Sequence, residues 1–498
     1  MFHRLLALIF LIAWVSLGSQ VGLLIGSHGL LPLEPFVHAI HGSGLGFGRF
    51  PTLFLYGASD AAIHAGVWLG AALSLLALAG VRPRLCALAS VVLYLSYTVA
   101  CRSFLGFQWD NLLLECGALA VFLPRDRPAR VIHLVFRLLL FKLYFESGLA
   151  KLQSPIHDWL NGSAMTFYYE TAPLPAPLAW YAYHLPTWWH HLESRGTLCL
   201  ELGGAFAVLG PRKVRLGAAV AFTVFQVVNI ATANYGFFAY LAIALHVFLL
   251  TDRDIARAWA SVRAIARHAR RRLATDALRR LWARGRLARR RWVRLASAPR
   301  VLERAGGPWL ERGRTATAAL LAGVFVLVSL NTGLRHFDAP GRRSAALTSL
   351  SDALAPFRLI NTYYLFTSVT RRRIEPTFET TDGARWVEHD LRYKPGPVDR
   401  APPLVAPHQP RVDFLLWFYG LRFERMPPYV QTLLERMCAD PQAVDPLFTT
   451  PLPPAPKAVR VVFYAYRFST PRDKRERGAW WTRQQVAATR EASCAALR

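Results

Sequence analysis

Five charged residues stand where charge is costly. Asp110 and Glu115 lie in Phe107-Gln108-Trp109-Asp110-Asn111 and the leucine run that follows, and Arg137, Lys142 and Glu146 lie in the next apolar run. A charge within a bilayer persists only when it is paired or hydrated, so each residue marks either a buried ion pair or a polar cavity. Lys142 and Glu146 share one face of a helix at i, i+4. Asp110 and Glu115 do not stack, which pairs one of them with Arg137 and leaves the other for a different partner. Interhelical ion pairing is the simpler reading and a functional cavity the sharper one. The charges alone would also suit a transporter, but no internal repeat or pair of broken helices accompanies them.

A second group of residues suits recognition. The segment Lys151–Gly196 carries Trp159, Tyr168, Tyr169, Glu170, Trp180, Tyr181, Tyr183, His184, Trp188 and Trp189, stiffened by Pro173, Pro175, Pro177 and Pro186. Aromatics at the headgroup level are normal in any interfacial segment. At this density they also suit a platform that holds an extended or partly folded polypeptide. His184, His190 and His191 have no carboxylate or thiol at ligand spacing, so no metal is expected. Asn161-Gly162-Ser163 is a glycosylation sequon, relevant only in a secretory-pathway membrane. No nucleotide-binding glycine loop, Ser/His/Asp elbow or HExxH helix is present, and Gly42–Gly48 follows no strand. No cofactor is expected.

The elements that hold these residues are apolar. Of 498 residues 53% are hydrophobic, with a mean hydropathy of +0.24, which fits a multi-span membrane protein. Runs long enough for candidate spans are Leu5–Ile25, Ala61–Ala79, Leu85–Cys101, Phe104–Leu123, Val131–Ala150, Thr197–Leu209, Val214–Ala233, Tyr235–Leu250 and Ala316–Leu330. Basic residues orient them, because arginine and lysine beside spans mark the cytoplasmic side. Arg4, the pair Arg82 and Arg84, the cluster Arg125, Arg127 and Arg130, and the cluster Arg212, Lys213 and Arg215 fall inside, while Ser27–Asp60 falls outside.

From Asp252 to Arg314 there are 19 arginines against 5 acidic residues. This segment also belongs inside, which gives nine spans and puts everything after Asn331 outside. The chain's net charge of +28 suggests nucleic acid at first sight, yet half of it sits in this one juxtamembrane segment, so nucleic acid is not expected as a partner. Trp259, Val262 and Ala266, then Leu278, Leu281, Ala288, Trp292 and Leu295, recur at helical spacing among the arginines. That pattern describes helices lying on anionic lipid, or else a solvated linker that only sets topology.

The remainder has the composition of a small α+β domain. Arg373–Thr380, Arg385–Tyr393 and Val459–Phe468 read as strands, the first two joined by Thr381-Asp382-Gly383, and Phe414–Phe423 and Tyr429–Cys438 read as helices. The division expected is 1–251 for an eight-span membrane domain, 252–315 for the basic cytoplasmic segment, 316–339 for the last span and linker, and 340–498 for the extracytoplasmic α+β domain. Six cysteines form no C-x-x-C; four fall in or beside apolar runs, while Cys438 and Cys494 in the tail leave a disulfide open.

Several stretches resemble the lipase maturation factor family. They are Phe104-Leu105-Gly106-Phe107-Gln108-Trp109-Asp110 through Glu115, Ser147-Gly148-Leu149-Ala150-Lys151-Leu152, Tyr168-Tyr169-Glu170-Thr171 with Pro173-Leu174-Pro175, and Asn234-Tyr235-Gly236-Phe237-Phe238. In the tail they are Tyr393-Lys394-Pro395-Gly396, Ala406-Pro407-His408-Gln409-Pro410-Arg411 and Gly478-Ala479-Trp480-Trp481. The resemblance implies a multi-pass membrane protein of the endoplasmic reticulum in eukaryotes, which assists folding and assembly of secreted lipases and is not known as an enzyme. The arginine and alanine bias suggests a GC-rich, bacterial source, for which the inner membrane replaces the reticulum. Client contacts are then expected at Tyr168, Tyr169, Glu170, Trp180, His184, Trp188 and Trp189, and in the tail at His408, Gln409, Arg411, Trp480 and Trp481.

Ser147–Leu152 is also distantly similar to the segment of vitamin K-dependent gamma-glutamyl carboxylase that carries its catalytic lysine, with Lys151 at that position. Such a role makes Lys151 a base. The plainer expectation is a lysine at a helix end that snorkels to the interface.

Overall fold

The computed structural model describes residues 1–124, 130–273, 308–337 and 344–497. Helices dominate the first part: α1 (Phe2–Gly18), α2 (Val21–Ile25), α3 (Leu33–Gly42), α4 (Asp60–Ala79), α5 (Pro83–Ala100), α6 (Gln108–Phe122) and α7 (Arg130–Leu152). There follow α8 (Ala164–Thr171), α9 (Pro177–Tyr183), α10 (Thr187–Ala207), α11 (Arg212–Thr232), α12 (Phe238–Leu245), α13 (Asp252–Leu273) and α14 (Pro308–Gly333).

Each of the nine apolar runs falls on helix, but among the described residues only α4, α5 and α11 are long and apolar enough to cross a membrane by length and composition. The apolar runs of α1, Phe238–Leu249 and Ala319–Gly333 are shorter. The charges inside α6, α7 and α10 lower their hydropathy, so a nine-span count does not follow from helix length alone. The first run breaks at Ser19-Gln20, where the Gln20 carboxamide donates to the carbonyls of Ser16 and Gln409 (both 2.8 Å). Lys151–Gly196 is not a loop. It folds into α8, α9 and the first half of α10, which starts ten residues before the run Thr197–Leu209.

Tight helix contacts explain the small residues. A side chain at Gly70 of α4 would collide with the Trp14 indole of α1, and one at Gly148 of α7 would lie 2.9 Å from Glu201 Cβ of α10. At the opposite end from the tail, Phe136 stacks on Phe248 at 4.1 Å, with Phe2 edge-on to both.

Of the basic segment, α13 holds Trp259 exposed. Leu278, Leu281, Ala288, Trp292 and Leu295 lie outside the described residues, as do Arg125, Arg127 and the 339/340 boundary.

After α14 come α15 (Ala345–Leu354), an irregular stretch, then β1 (Arg373–Thr381), β2 (Trp386–His389), α16 (Arg411–Leu421), α17 (Pro428–Ala439) and α18 (Pro441–Val444). The chain closes with β3 (Ala458–Phe468), α19 (Pro471–Arg477), β4 (Trp481–Ala488), β5 (Ala492–Ser493) and α20 (Cys494–Leu497). The sheet is antiparallel in the order β2-β1-β3-β4, with β5 continuing the β4 edge of β3. Pro376 lacks an N–H and sits in the part of β1 that β2 does not reach. The second strand is shorter than Arg385–Tyr393, and β4 and α19 had no distinct signal. Cys438 and Cys494 form a disulfide that ties α17 to the C-terminal turn. Apolar side chains from Phe2 to Cys494 pack into one continuous cluster, so the tail does not keep a separate core.

Candidate functional site

Polar residues gather where the helices meet the tail, in three joints. The first is built on Arg411, the opening residue of α16. Its guanidinium makes two parallel hydrogen bonds to Asp110 in the first turn of α6 (Nη1 to Oδ2 2.7 Å, Nη2 to Oδ1 2.8 Å). Tyr94 donates to the same carboxylate at 2.7 Å, and Arg411 Nη1 also reaches the Phe104 carbonyl at 3.2 Å. Both ionic partners are buried. Next to them, Gln409 N donates to Ser16 Oγ (2.9 Å), His408 Nδ1 lies 3.0 Å from that hydroxyl, and Arg411 N donates to Gln20 Oε1 (2.9 Å). Burial and the Arg411 charge push the His408 imidazole down to about 4.

The second joint is an irregular stretch, 358–369, laid across α6 and α7. Backbone without helix or sheet must find its hydrogen bonds elsewhere. Here the buried carboxylates supply them: Glu146 Oε2 accepts from Tyr363 N (2.8 Å), while Glu115 Oε2 accepts from the Tyr363 hydroxyl (2.6 Å) and from Asn361 Nδ2 (3.0 Å). Gln108 accepts from Tyr364 N, Asp158 from Val369 N, and Trp159 Nε1 donates to the Phe366 carbonyl. Lys142 donates to Ser329 Oγ of α14 (3.1 Å) and lies over the rings of Phe325 and Tyr363. Arg137 meets neither Asp110 nor Glu115. Its ionisable neighbours are His133 and Arg215, because it lies about one and a half turns closer to the N-terminus of α7 than Lys142 does.

Lys151 belongs to this joint. Its ammonium forms an ion pair with Glu201 (2.7 Å), donates to the Leu365 carbonyl (2.8 Å) and stands 5.2 Å from the Trp159 ring. It is 2% exposed, so it does not snorkel to the interface. Gly148 lets α10 come close enough to place Glu201 there. An enclosed, triply held ammonium suits a fixed positive charge, and the carboxylase-like role finds no support in these surroundings.

The third joint clamps the end of α8. Arg373 donates to the carbonyls of Glu170 (3.0 Å), Ala172 (2.5 Å) and Pro173 (3.0 Å), taking up acceptors that a helix C-terminus leaves open. Glu375 pairs with Arg373 (2.5 Å) and with Lys394 (2.7 Å). The Glu170 carboxylate accepts from Phe468 N (2.8 Å), and Asn234 bridges Leu174, Pro175, Pro403, Val405 and Ala406. Burial raises Glu170, lowers Lys394 to about 8 and raises Asp413 to about 6.

Most residues expected to touch a client therefore do other work. Tyr168 bonds Tyr235, Tyr169 bonds Glu193, Trp180 donates to Ser469, and Glu170, Gln409, Arg411 and Trp481 are buried in the joints or sheet. Burial removes them from an outer surface, although the Gln409 carboxamide, unlike its backbone N–H and carbonyl, meets no hydrogen-bond partner among the described residues. His184, His408 and Trp480 are half-buried, while Trp188 (65%) and Trp189 (37%) are open. His190 is held by Glu193 and the Tyr183 carbonyl, and among the described residues no three His, Cys, Asp or Glu gather as a metal site. Glu201 went unnoticed although it stands in an apolar run, the same signal that marked Asp110. Nothing in the sequence marked Tyr363 as the partner of Glu115 and Glu146.

A helical membrane domain fastened along one end to a small sheet domain defines a multi-helix membrane protein with a docked C-terminal module. The chain belongs to the lipase maturation factor family: residues 1–257 match the lipase maturation factor transmembrane domain and residues 359–490 the lipase maturation factor C-terminal domain. It is 30% identical to mouse (Mus musculus) lipase maturation factor 2 over 98% of this chain and 81% of that one. Identity is 29% to the Gallus gallus lipase maturation factor 2, over 97% of this chain and 79% of that one. It is 27% to the Bos taurus lipase maturation factor 1, over 97% and 86%. No solved structure matches the chain.

Proposed function

We propose that the protein is a nine-span membrane maturation factor that assists folding or assembly of secreted lipases on the extracytoplasmic face. One observation carries this reading. Among the described residues the tail bonds one end of the bundle: the C-terminal ends of α1, α7 and α14 and the N-terminal ends of α6 and α12. That is the alternation a chain crossing nine times requires, and arginine clusters place the other end in the cytoplasm. A tail disulfide fits an oxidising compartment. Residence in the endoplasmic reticulum membrane of a eukaryote, or in the inner membrane of a bacterium, fits this orientation, with the basic segment against anionic lipid. We keep domain limits near 251, 315 and 339 as part of this proposal, on the arginine distribution and the apolar runs.

The client surface is the open face of α9 and α10 around Trp188 and Trp189. Trp188→Ala with Trp189→Ala should lower the yield of active client lipase at unchanged membrane insertion, since truncated aromatic anchors cost about 2 kcal/mol or more. Normal maturation by the double variant would reduce this face to an interfacial anchor. An extracytoplasmic reporter should be active when fused to the tail and silent when fused after Arg284; the reverse would overturn the topology.

A further inference from the structure

Three aromatic rings converge between α9 and the start of β4. Trp180 and Tyr181 come from α9 and Trp480 from the turn after α19. Their centroids are 5.1, 6.0 and 6.2 Å apart and their planes cross at 82°, 75° and 84°, so they form three walls of a box. The walls are fixed. Trp180 Nε1 donates to Ser469 Oγ (3.2 Å), Ser469 Oγ to the Ala479 carbonyl (2.6 Å), and Ser469 N to the Trp480 carbonyl (3.0 Å). Gly478, at φ +70°, ends α19 in the left-handed conformation that glycine takes without strain and turns Trp480 back over the helix.

Inside the box is the ammonium of Lys474, 4.9 Å from the Trp180 ring, 5.8 Å from the Tyr181 ring and directly over Trp480. The negative faces of aromatic rings attract cations, and several rings around one ammonium form the arrangement that recognises alkylammonium ligands. Lys474 rides on a seven-residue helix with no buried residue, capped by Thr470 alone at its start. An occupant so lightly held can be exchanged.

We propose that the Trp180–Tyr181–Trp480 box binds the alkylammonium headgroup of a zwitterionic phospholipid, and that Lys474 is the internal occupant that gives way to it. Charge selects this ligand over a basic peptide. Around the box α19 carries Arg472, Lys474, Arg475 and Arg477 against Asp473 and Glu476. A purely cationic segment is repelled there, whereas a zwitterion places its ammonium among the rings and its phosphate beside the arginines. The exposed Leu178, Leu185, Trp188 and Leu192 continue from Tyr181 along α9 and α10, an apolar track for an acyl chain.

Monomeric dihexanoylphosphatidylcholine titrated into the full chain in maltoside detergent, followed by calorimetry, tests the proposal. Saturable binding is expected, weakened about tenfold by Tyr181→Ala or Trp480→Ala and tightened by Lys474→Met, since each ring face contributes modestly and the internal competitor is gone. Tyr181 is half open, so its truncation leaves the fold intact, and Trp480→Phe keeps a ring and should retain binding. Choline chloride should bind weakly and inorganic phosphate not at all, which separates the lipid from its fragments. Equal binding of the phosphatidylglycerol analogue would make α19 a plain anion patch and overturn the proposal. So would a trilysine peptide binding Lys474→Met more tightly than the lipid does, or the absence of saturable binding. Saturable lipid binding by the full chain, with lipase secretion and activity unchanged when the protein is deleted, would count against the proposed client function, on which the box does not depend, and leave the box standing.

Discussion

Arg411 and Asp110, 301 residues apart in the chain, face each other through two parallel hydrogen bonds with both charges buried. The pair fixes α16 of the tail to the first turn of α6. An aspartate in that turn also meets the positive end of the helix dipole, so the carboxylate is stabilised from two sides.

Removing one partner strands the other. Arg411→Ala should cost about 3–5 kcal/mol, because it leaves an uncompensated buried carboxylate. Arg411→Lys should recover only part, since an ammonium cannot span both oxygens. Arg411→Met with Asp110→Leu should recover most of the loss. Thermal unfolding in detergent and protease release of the tail measure this, and a wild-type melt for Arg411→Ala would remove the pair as the tie.

Lys151 and Glu201 give the test that separates a fixed charge from a catalytic base. Lys151→Met and Glu201→Leu should each lower client lipase activity at matched membrane levels, because each leaves its partner buried and unpaired. Combined, they should restore much of it. A catalytic lysine is not rescued by deleting its partner, so a dead double variant that still folds would revive the enzymatic reading.

The Cys438–Cys494 bond closes a separation of 56 residues. Cys438→Ser with Cys494→Ser should cost about 2–4 kcal/mol, mainly by releasing the unfolded tail. Alkylation in denaturant should label neither tail cysteine until a reductant is added, since both are bonded and buried in the native chain. Labelling of Cys438 without reductant would contradict the bond.

Two buried groups of the third joint set opposite pH slopes. Asp413, raised to about 6 by burial, holds its proton in the folded chain at pH values where the unfolded chain has lost it. Its contribution to stability therefore falls as pH rises from about 4 to 6. Lys394, lowered to about 8, gives up its proton before the unfolded chain does, so its contribution rises between pH 8 and about 10. Asp413→Asn should flatten the first slope and Lys394→Met the second, read as differences in melting temperature from wild type across pH.

Local chemistry was legible in the sequence. Apolar runs became helices because a bilayer-length hydrophobic segment satisfies its own backbone, and arginine clusters gave an orientation that the one-sided docking of the tail supports. The strands from Arg373 and Ala458 followed β-branched and aromatic composition, and the costly charges at Asp110, Glu115, Lys142 and Glu146 were recognised as requiring partners. Only tertiary structure named those partners. Arg411, Tyr363 and Ser329 lie 301, 248 and 187 residues from the charges they meet, and periodicity carries no information across such distances. The same limit explains the aromatic segment. Composition set Tyr168, Trp180 and Trp188 side by side as one surface, but burial depends on what packs against each ring. The tail covers the first two and leaves Trp188 open.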